Sequence, residues 1–276
     1  MFHTLADPLT YPFMIRGLIA VALVGVVCAT VGTYVVLRGM AFFGDALAHT
    51  ILPGVVVAFL LGWPLALGAL VMGILTAVGI GALSSQGVVK EDTAIGVIFA
   101  GTFALGVALL SATGNYTVDL AHFLFGNLLG VSATDLWVTL GLGIVVLLTI
   151  MLFYKEFLVI SFDPTLAVTL RLPAEFLRYL LLVLIAITIV VALQVVGIAL
   201  MVAMLVTPAA TASLLTRRLA PMMGVAAVIG AVSGIVGLYL SFYLNIASGP
   251  AVVLVTTLLF VLAFLFAPQR GLWRRG

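Results

Sequence analysis

Long apolar runs, separated by short clusters of charged, proline and polar residues, make up nearly the whole chain. A membrane-crossing helix needs about 20 mostly apolar residues, since each residue advances it by about 1.5 Å through a hydrocarbon core of roughly 30 Å. The pattern predicts nine such helices, at residues 13–37, 42–61, 64–84, 93–112, 133–154, 178–194, 197–216, 222–243 and 250–267. The sixth and seventh runs are short and meet at Val195, Val196 and Gly197, so eight crossings with one broken or re-entrant helix is the alternative.

The composition supports an all-α polytopic membrane protein. Hydrophobic residues make up 65% of the 276 and charged residues only 7%, against roughly 25% charged in soluble domains. No room remains for a soluble domain, so residues 1–276 are predicted to form a single transmembrane domain. The first run, 13–37, is too long for a signal-peptide core and is expected to stay as a helix. A net charge of +2 gives no indication of nucleic-acid binding.

The placement of basic residues predicts the orientation, because cytoplasmic loops of membrane proteins collect Lys and Arg. With the N-terminus outside and the C-terminus cytoplasmic, only Arg16 of the 11 basic residues lies on the outer side. The cytoplasmic connections and tail then carry Arg38, Lys90, Lys155, Arg171, Arg178, Arg217, Arg218, Arg270, Arg274 and Arg275.

Two connections are long enough to hold structure of their own. Residues 113–132 lie outside and carry Asp119, His122 and Asn127 at helical spacings, which predicts a short surface helix. Residues 155–177 lie inside, where Asp163 is a suitable N-cap for a short helix that starts at Pro164, runs to about Leu170 and stops at Pro173. Such a helix is a surface that a cytoplasmic partner can grip.

The ionisable residues inside the second run are the main candidates for function, because such groups are costly in hydrocarbon and usually mark a pathway or a packed pair. Asp45 and His49 are four residues apart, so both side chains project from one helical face. A carboxylate beside an imidazole is a metal-binding pair. Counted from Arg38, His49 lies about 16 Å deep, near the middle of the membrane.

A structural interpretation of this pair stays open, in which Asp45 and His49 hydrogen-bond each other or nearby backbone. Two ligands also leave the coordination sphere of a divalent ion incomplete, since such ions take four to six donors, although a two-fold dimer would double them. Asp119 and His122 are secondary candidates for handing a cation toward the pore, although a solvated polar face is the favoured explanation for them.

Several enzyme classes are excluded by missing motifs. The chain has no H-E-x-x-H pair and no G-x-x-x-x-G-K-[ST] loop, so neither a zinc protease site nor an ATP site is located in it. An aspartyl protease needs a second carboxylate beside Asp45, and none lies within a predicted span. Uphill transport would therefore draw on an ion gradient or on a separate ATPase, and the residues alone do not decide between them.

Six segments together resemble the manganese and zinc ABC importer permeases. They are YVVLRGMAFFGDALAHTILPGV (34–55), DTAIGVIF (92–99), DLAHFLFGNLLGV (119–131), ISFDPTLAVTLRLP (160–173), VAMLVTPAATA (202–212) and ASGPAVVLVTTLLFVLAFLFAP (247–268). The resemblance implies a bacterial plasma-membrane permease without its own ATPase site or tightly bound cofactor. It also implies a homodimer, two cytoplasmic ATP-binding subunits, and an extracellular solute-binding protein that delivers the ion.

The resemblance assigns roles to particular residues. The family's metal-path aspartate and histidine fall on Asp45 and His49, and its ATPase-coupling helix resembles residues 163–172. One departure lies there, because Leu170, Arg171 and Leu172 stand where related permeases usually read Leu-Gly followed by an apolar residue. Arg171 thus replaces a flexible glycine with a charge that is available to an acidic residue of the ATPase.

The resemblance is closer to the manganese branch, since His122 and Asn127 resemble that branch more than the zinc branch. A duplicated Asp and His pair would accommodate Mn(II), Zn(II) or Fe(II), and intrinsic affinity favours zinc over manganese. Selectivity is then expected to reside in the binding protein. The alternative is a secondary, proton-coupled metal transporter, which would keep the same pair and need no ATPase.

Overall fold

A computed structural model describes residues 7–85, 89–113 and 128–267, and everything below refers to these ranges. Helices dominate them, with short 3-10 turns at Asp7–Thr10 and Leu128–Gly130. The α-helices are α1 (Pro12–Leu37), α2 (Ala41–Thr50), α3 (Leu52–Leu61), α4 (Leu65–Ser85), α5 (Glu91–Thr113), α6 (Ala133–Leu152), α7 (Tyr154–Phe162), α8 (Pro164–Thr169), α9 (Ala174–Val196), α10 (Ile198–Leu215), α11 (Leu219–Leu244) and α12 (Ser248–Phe266).

The nine predicted membrane helices are confirmed within the described ranges. Nine segments are long and apolar enough to cross a bilayer, with α2 and α3 together forming one of them, Ala41–Leu61. The sixth and seventh runs are separate helices of 23 and 18 residues, so the alternative of eight crossings is not needed. Between them Gly197 has a φ of 78°, a conformation that glycine adopts without steric cost, and this single residue interrupts the helix.

The centre of the bundle is α1, which packs against α11, α10, α6 and α9. In a lipid bilayer the hydrophobic effect does not drive helices together, so their association depends on close packing. Small residues allow the helices to approach closely enough for this packing. A Cβ added to Gly25 would lie 2.7 Å from the carbonyl carbon and oxygen of Gly230 on α11. A Cβ added to Gly32 would collide with the carbonyl oxygen of Leu205 on α10.

A second group of helices surrounds the predicted site. The α3 helix lies against α4 through Gly54 and Gly68, whose backbones leave no room for a side chain on either residue. The α2 helix contacts α5, α9 and α10, and it buries Phe43, Gly44, Ala46, Leu47 and Ala48 in these contacts. The α2 helix is therefore held rigidly in the bundle.

Charged residues join four helix ends at one side of the bundle. Arg38, which caps the C-terminus of α1, donates two hydrogen bonds from Nη2 to the carboxylate of Glu91 in the first turn of α5, at 3.0 and 3.1 Å. Arg178 in α9 donates to Ser84 Oγ at 3.0 Å and to the Gly81 carbonyl near the end of α4. The C-termini of α1 and α4 and the N-termini of α5 and α9 therefore lie together.

The predicted inner connection is more helical than the sequence indicated. The α6 helix ends at Leu152, two residues before the predicted boundary, and α7 follows with Phe157 and Ile160 buried against the bundle. The predicted short helix is present as α8, and it ends at Thr169 instead of Leu170. It does not stop at Pro173, which caps the N-terminus of α9.

Candidate functional site

The Asp45–His49 pair lies on the one face of α2 that the bundle leaves uncovered. Phe42, Asp45 and His49 follow one another at spacings of three and four residues, so they form a stripe along one side of the helix. The side chain of His49 is 34% exposed and that of Asp45 is 43% exposed, whereas their neighbours on α2 are buried. On the single chain this polar stripe opens to the outside of the bundle.

The two side chains are near each other without forming a hydrogen bond. His49 Nε2 lies 3.8 Å from Asp45 Oδ1, beyond normal hydrogen-bond distance. Both side chains therefore keep lone pairs for a third group. This geometry weakens the structural interpretation in which the pair satisfies itself.

Aromatic rings from α5 hold the imidazole in place. The His49 ring centroid lies 6.0 Å from that of Phe99 and 5.6 Å from that of Phe103, the latter edge-on. Phe42, at the start of the stripe, also packs edge-on against Phe99 at 6.0 Å. These contacts fix one side of the imidazole and leave the Asp45 side open.

The helix is interrupted just beyond His49. Ile51 separates α2 from α3, and Pro53 stands in the first turn of α3. Proline has no amide hydrogen, so the normal helical bond from residue 53 to the His49 carbonyl cannot form. The Ile51 amide donates to the His49 carbonyl at this break.

A single chain does not complete a metal site in the part that the structure describes. No group of three or more His, Cys, Asp or Glu side chains comes together there. The secondary candidates Asp119 and His122, together with Asn127, lie outside the described residues. Among the described residues, Asp45 and His49 are therefore two side chains with metal-binding chemistry and no third such side chain beside them.

The second predicted site, at α8, has the expected cap. Asp163 Oδ1 accepts hydrogen bonds from the backbone amides of Leu166 at 3.1 Å and Thr165 at 2.9 Å, so Asp163 is the N-cap and Pro164 begins the helix as predicted. These bonds, first that from the Leu166 amide, lower the pKa of Asp163 because they favour the carboxylate. The cap is therefore present at neutral pH and is lost only as the pH falls through this lowered pKa.

The end of α8 places the residue at position 171 in a conformation that favours glycine. Arg171 has a φ of 54°, in the left-handed region, and the Leu172 amide donates to the Ala167 carbonyl at 3.0 Å. This is the six-to-one bond of a helix ending whose left-handed residue is usually glycine. Arginine here costs about 1 kcal/mol of backbone strain, and its side chain is exposed.

Sequence reasoning missed the supports of these sites. Phe99 and Phe103 were read only as parts of an apolar run, and the Arg38–Glu91 pair joins residues 53 apart in the chain. The side chains of Arg38 and Glu91 are only 11% and 22% exposed. The spacing of four residues between Phe99 and Phe103 indicates that they share one face of a helix. It does not indicate which other helix that face contacts.

The comparisons with known proteins agree with this architecture. One chain of PsaBC from Streptococcus pneumoniae, solved in complex with a Fab, superposes with a TM-score of 0.85 at 39% identity over 98% of both chains. The manganese transport system membrane protein MntC of Halalkalibacterium halodurans is 48% identical over 97% of this chain and 91% of its own. The chelated iron transport system membrane protein YfeD of Yersinia pestis is 42% identical over 96% and 89%.

The bundle of long apolar helices defines a multi-pass membrane protein. The model of the ABC 3 transport family matches residues 10–267. This chain belongs to that family, and the resemblance seen in its sequence is confirmed. It is accordingly a transport subunit and not the ATP-binding subunit.

Proposed function

We propose that this chain is the permease subunit of an ATP-driven importer of divalent transition-metal ions, with Mn(II) as its main ion. One observation carries the proposal: an aspartate and a histidine with free lone pairs form the uncovered stripe of an otherwise buried membrane helix, in a member of a transport family. Carboxylate oxygen with imidazole nitrogen suits Mn(II), Fe(II) and Zn(II). The relatives named for manganese transport favour Mn(II), and the iron relative keeps Fe(II) as an alternative cargo.

The exposed stripe also supports a homodimer. An ionisable pair facing lipid at mid-membrane is costly, so such residues normally face protein or a water-filled path. A second copy placed against α2 across a two-fold axis would cover both stripes and supply two carboxylates and two imidazoles. Four donors would hold a divalent ion, and the remaining positions would go to water.

The basic residues Arg38 and Arg178 at one side of the bundle support the proposed orientation, with the N-terminus outside and the C-terminus cytoplasmic, because Lys and Arg collect on the cytoplasmic side. In that topology the C-termini of α1 and α4 and the N-termini of α5 and α9 all lie on the cytoplasmic side. The contacts of Arg38 with Glu91 and of Arg178 with Ser84 bring these four ends together. The single domain, residues 1–276, would then cross a bacterial plasma membrane nine times.

Residues 163–172 are proposed as the docking helix for two cytoplasmic ATP-binding subunits. Asp163 and Pro164 start α8, and Leu170, Arg171 and Leu172 form its strained end. ATP binding and hydrolysis would move these segments and rock the two permeases between access states. An extracellular binding protein would deliver the ion, and the Asp45–His49 pair would hold it loosely, since tight binding would prevent release.

ATP-dependent uptake tests this proposal against the secondary transporter. Proteoliposomes would contain this chain, its ATP-binding subunit and a manganese-loaded binding protein, and accumulation of Mn(II) would be compared with that of Fe(II) and Zn(II). We expect accumulation of Mn(II) only when ATP is supplied on the side of the membrane that carries the ATP-binding subunits. Uptake driven by a proton gradient without ATP would contradict the importer and favour the proton-coupled alternative.

Arg171 allows the backbone and the charge of the α8 end to be tested separately. Arg171→Gly removes the strain and the charge, and Arg171→Ala removes the charge alone. If the guanidinium contacts an acidic residue of the ATP-binding subunit, both variants should lower ATP-dependent uptake by roughly two- to fivefold, while only Arg171→Gly raises the melting temperature. Uptake at the wild-type rate in both variants would contradict a docking role for this charge.

A further inference from the structure

A groove and a pocket lie next to each other at the start of α11, and no residue of α2 lines either of them. The groove, called here the α11 groove, has a volume of about 580 Å³ and opens at the bundle surface. Its walls are Val26 and Thr30 of α1, Leu147, Ile150 and Met151 of α6, Tyr154 of α7, and Ala220, Met223, Gly224 and Ala227 of α11. Only a hydroxyl of Thr30 and one of Tyr154 are polar, so the groove suits an apolar chain.

The pocket, called here the Arg218 pocket, has the opposite character. It holds about 130 Å³ and is lined by Leu37, Phe162, Ser213, Thr216, Arg217, Arg218, Leu219 and Met222. Two cations and no carboxylate line it. Asp163 lies next to Phe162 in the chain, but its carboxylate accepts two amide hydrogen bonds from α8. The Arg218 side chain is exposed and forms no ion pair within the described ranges.

The two cavities adjoin each other. Val26, Thr30 and Leu37 lie on one face of α1, because they are 4 and 11 residues apart and 11 residues complete about three turns. On α1 the pocket residue Leu37 therefore lies roughly 10 Å beyond the groove residue Thr30. On α11 the lining residues alternate within the first turns, since Leu219 and Met222 line the pocket and Ala220 and Met223 line the groove. The charged pocket therefore lies beside the end of the apolar groove.

We propose that the α11 groove and the Arg218 pocket together bind an anionic phospholipid. One acyl chain occupies the groove, and the phosphate of the headgroup lies against Arg218. Charge complementarity selects the occupant, since a zwitterionic lipid offers Arg218 no net negative charge. With the orientation proposed above, the lipid belongs to the cytoplasmic leaflet, next to the segment that holds α8.

The structure supplies variants that alter each half of this site. A Cβ added at Gly224 meets no atom within 4 Å, so Gly224→Leu extends into the open groove without displacing the bundle. Gly141 in α6 is equally open and does not line the groove, which makes Gly141→Leu the matched control. Arg218→Gln removes one cation from an exposed position and leaves the groove intact.

Retention of added lipid by the purified full-length protein tests the proposal. Phosphatidylglycerol and phosphatidylcholine would be added to the protein in detergent, and bound lipid would be counted by native mass spectrometry. We expect the wild type and Gly141→Leu to prefer phosphatidylglycerol, Arg218→Gln to lose about fivefold of this preference, and Gly224→Leu to retain neither lipid. A melting curve for each variant verifies that it is folded.

Three results would overturn the proposal. The first is equal retention of the two lipids by the wild type, and the second is unchanged retention by Gly224→Leu. The third is a changed oligomeric state in Gly224→Leu with lipid binding unaltered, which would make the groove a contact between copies. The readout is bound lipid and not transport, so failure here leaves the proposed metal import untouched.

Discussion

Replacing Asp45 by Asn, or His49 by Phe, is expected to lower ATP-dependent Mn(II) uptake in proteoliposomes by at least about tenfold. His49→Phe removes one proposed metal donor from the uncovered stripe of α2, and Asp45→Asn removes the negative charge of the other. In the proposed homodimer each change is present twice. His49→Phe keeps an aromatic ring against Phe99 and Phe103, so it separates ligation from packing. Uptake is measured as accumulated Mn(II) at equal amounts of assembled transporter.

The matched control for Asp45→Asn is Asp92→Asn. Asp92 is an exposed acid in the first turn of α5 and lies outside the stripe. We expect Asp92→Asn to transport at the wild-type rate and all three variants to bind the ATP-binding subunit normally. Wild-type uptake by Asp45→Asn or His49→Phe would show that the pair does not contact the ion and would return it to a structural role.

Replacing Gly32 by Ala is expected to destabilise the protein by about 2 kcal/mol or more, which is large for a single methyl group. The added carbon would collide with the carbonyl oxygen of Leu205, so α1 and α10 would have to separate. Backbone cannot move aside as a flexible side chain does, and α1 contacts four other helices. The measurement is the melting temperature in detergent, with the fraction of monodisperse protein after size-exclusion chromatography.

Gly141→Ala provides the control for this prediction. Its Cβ meets no atom within 4 Å, so the change adds only the greater helix propensity of alanine. We expect its melting temperature to equal or slightly exceed that of the wild type. An unchanged melting temperature in Gly32→Ala would mean that the α1–α10 contact is looser than the structure describes.

The proposed metal site and the proposed docking segment are held in place in different ways. The stripe of α2 is positioned by deep packing, since all its flanking residues are buried. The α8 segment lies at the helix ends, where hydrogen bonds to Asp163 and a strained Arg171 define its limits. A segment held by few contacts moves more easily than the core, which suits a role in passing motion from an ATPase.

Local pattern was enough to predict the membrane helices and the candidate residues. A run of about 20 apolar residues has one stable outcome in a bilayer, because every backbone group must be hydrogen-bonded within the helix. The spacing of Asp45 and His49 places them on one face for the same geometric reason. The cap at Asp163 was also predictable, because capping depends on residues two and three positions away.

Local pattern failed where distant segments meet or where one residue changes the backbone. The sequence predicted that α8 would run to about Leu170 and would be terminated by Pro173. In the structure the helix ends at Thr169, and the left-handed conformation of Arg171 terminates it. The helical content of 154–162 was missed because its few buried residues lack the length of a membrane run. In neither case can the end of α8 or the helix at 154–162 be predicted from residues nearby in the sequence.

By itself, therefore, the sequence determined the membrane class, the nine helices and the Asp45–His49 pair, since each follows from helix length or from spacing along one helix. Only the tertiary structure decided that this pair faces outward, that Phe99 and Phe103 hold the imidazole, and that Arg38 pairs with Glu91. A helix of uniformly apolar residues has no amphipathic pattern from which its neighbouring helices could be predicted. Its neighbours are determined instead by the packing of small residues against the backbone of other helices.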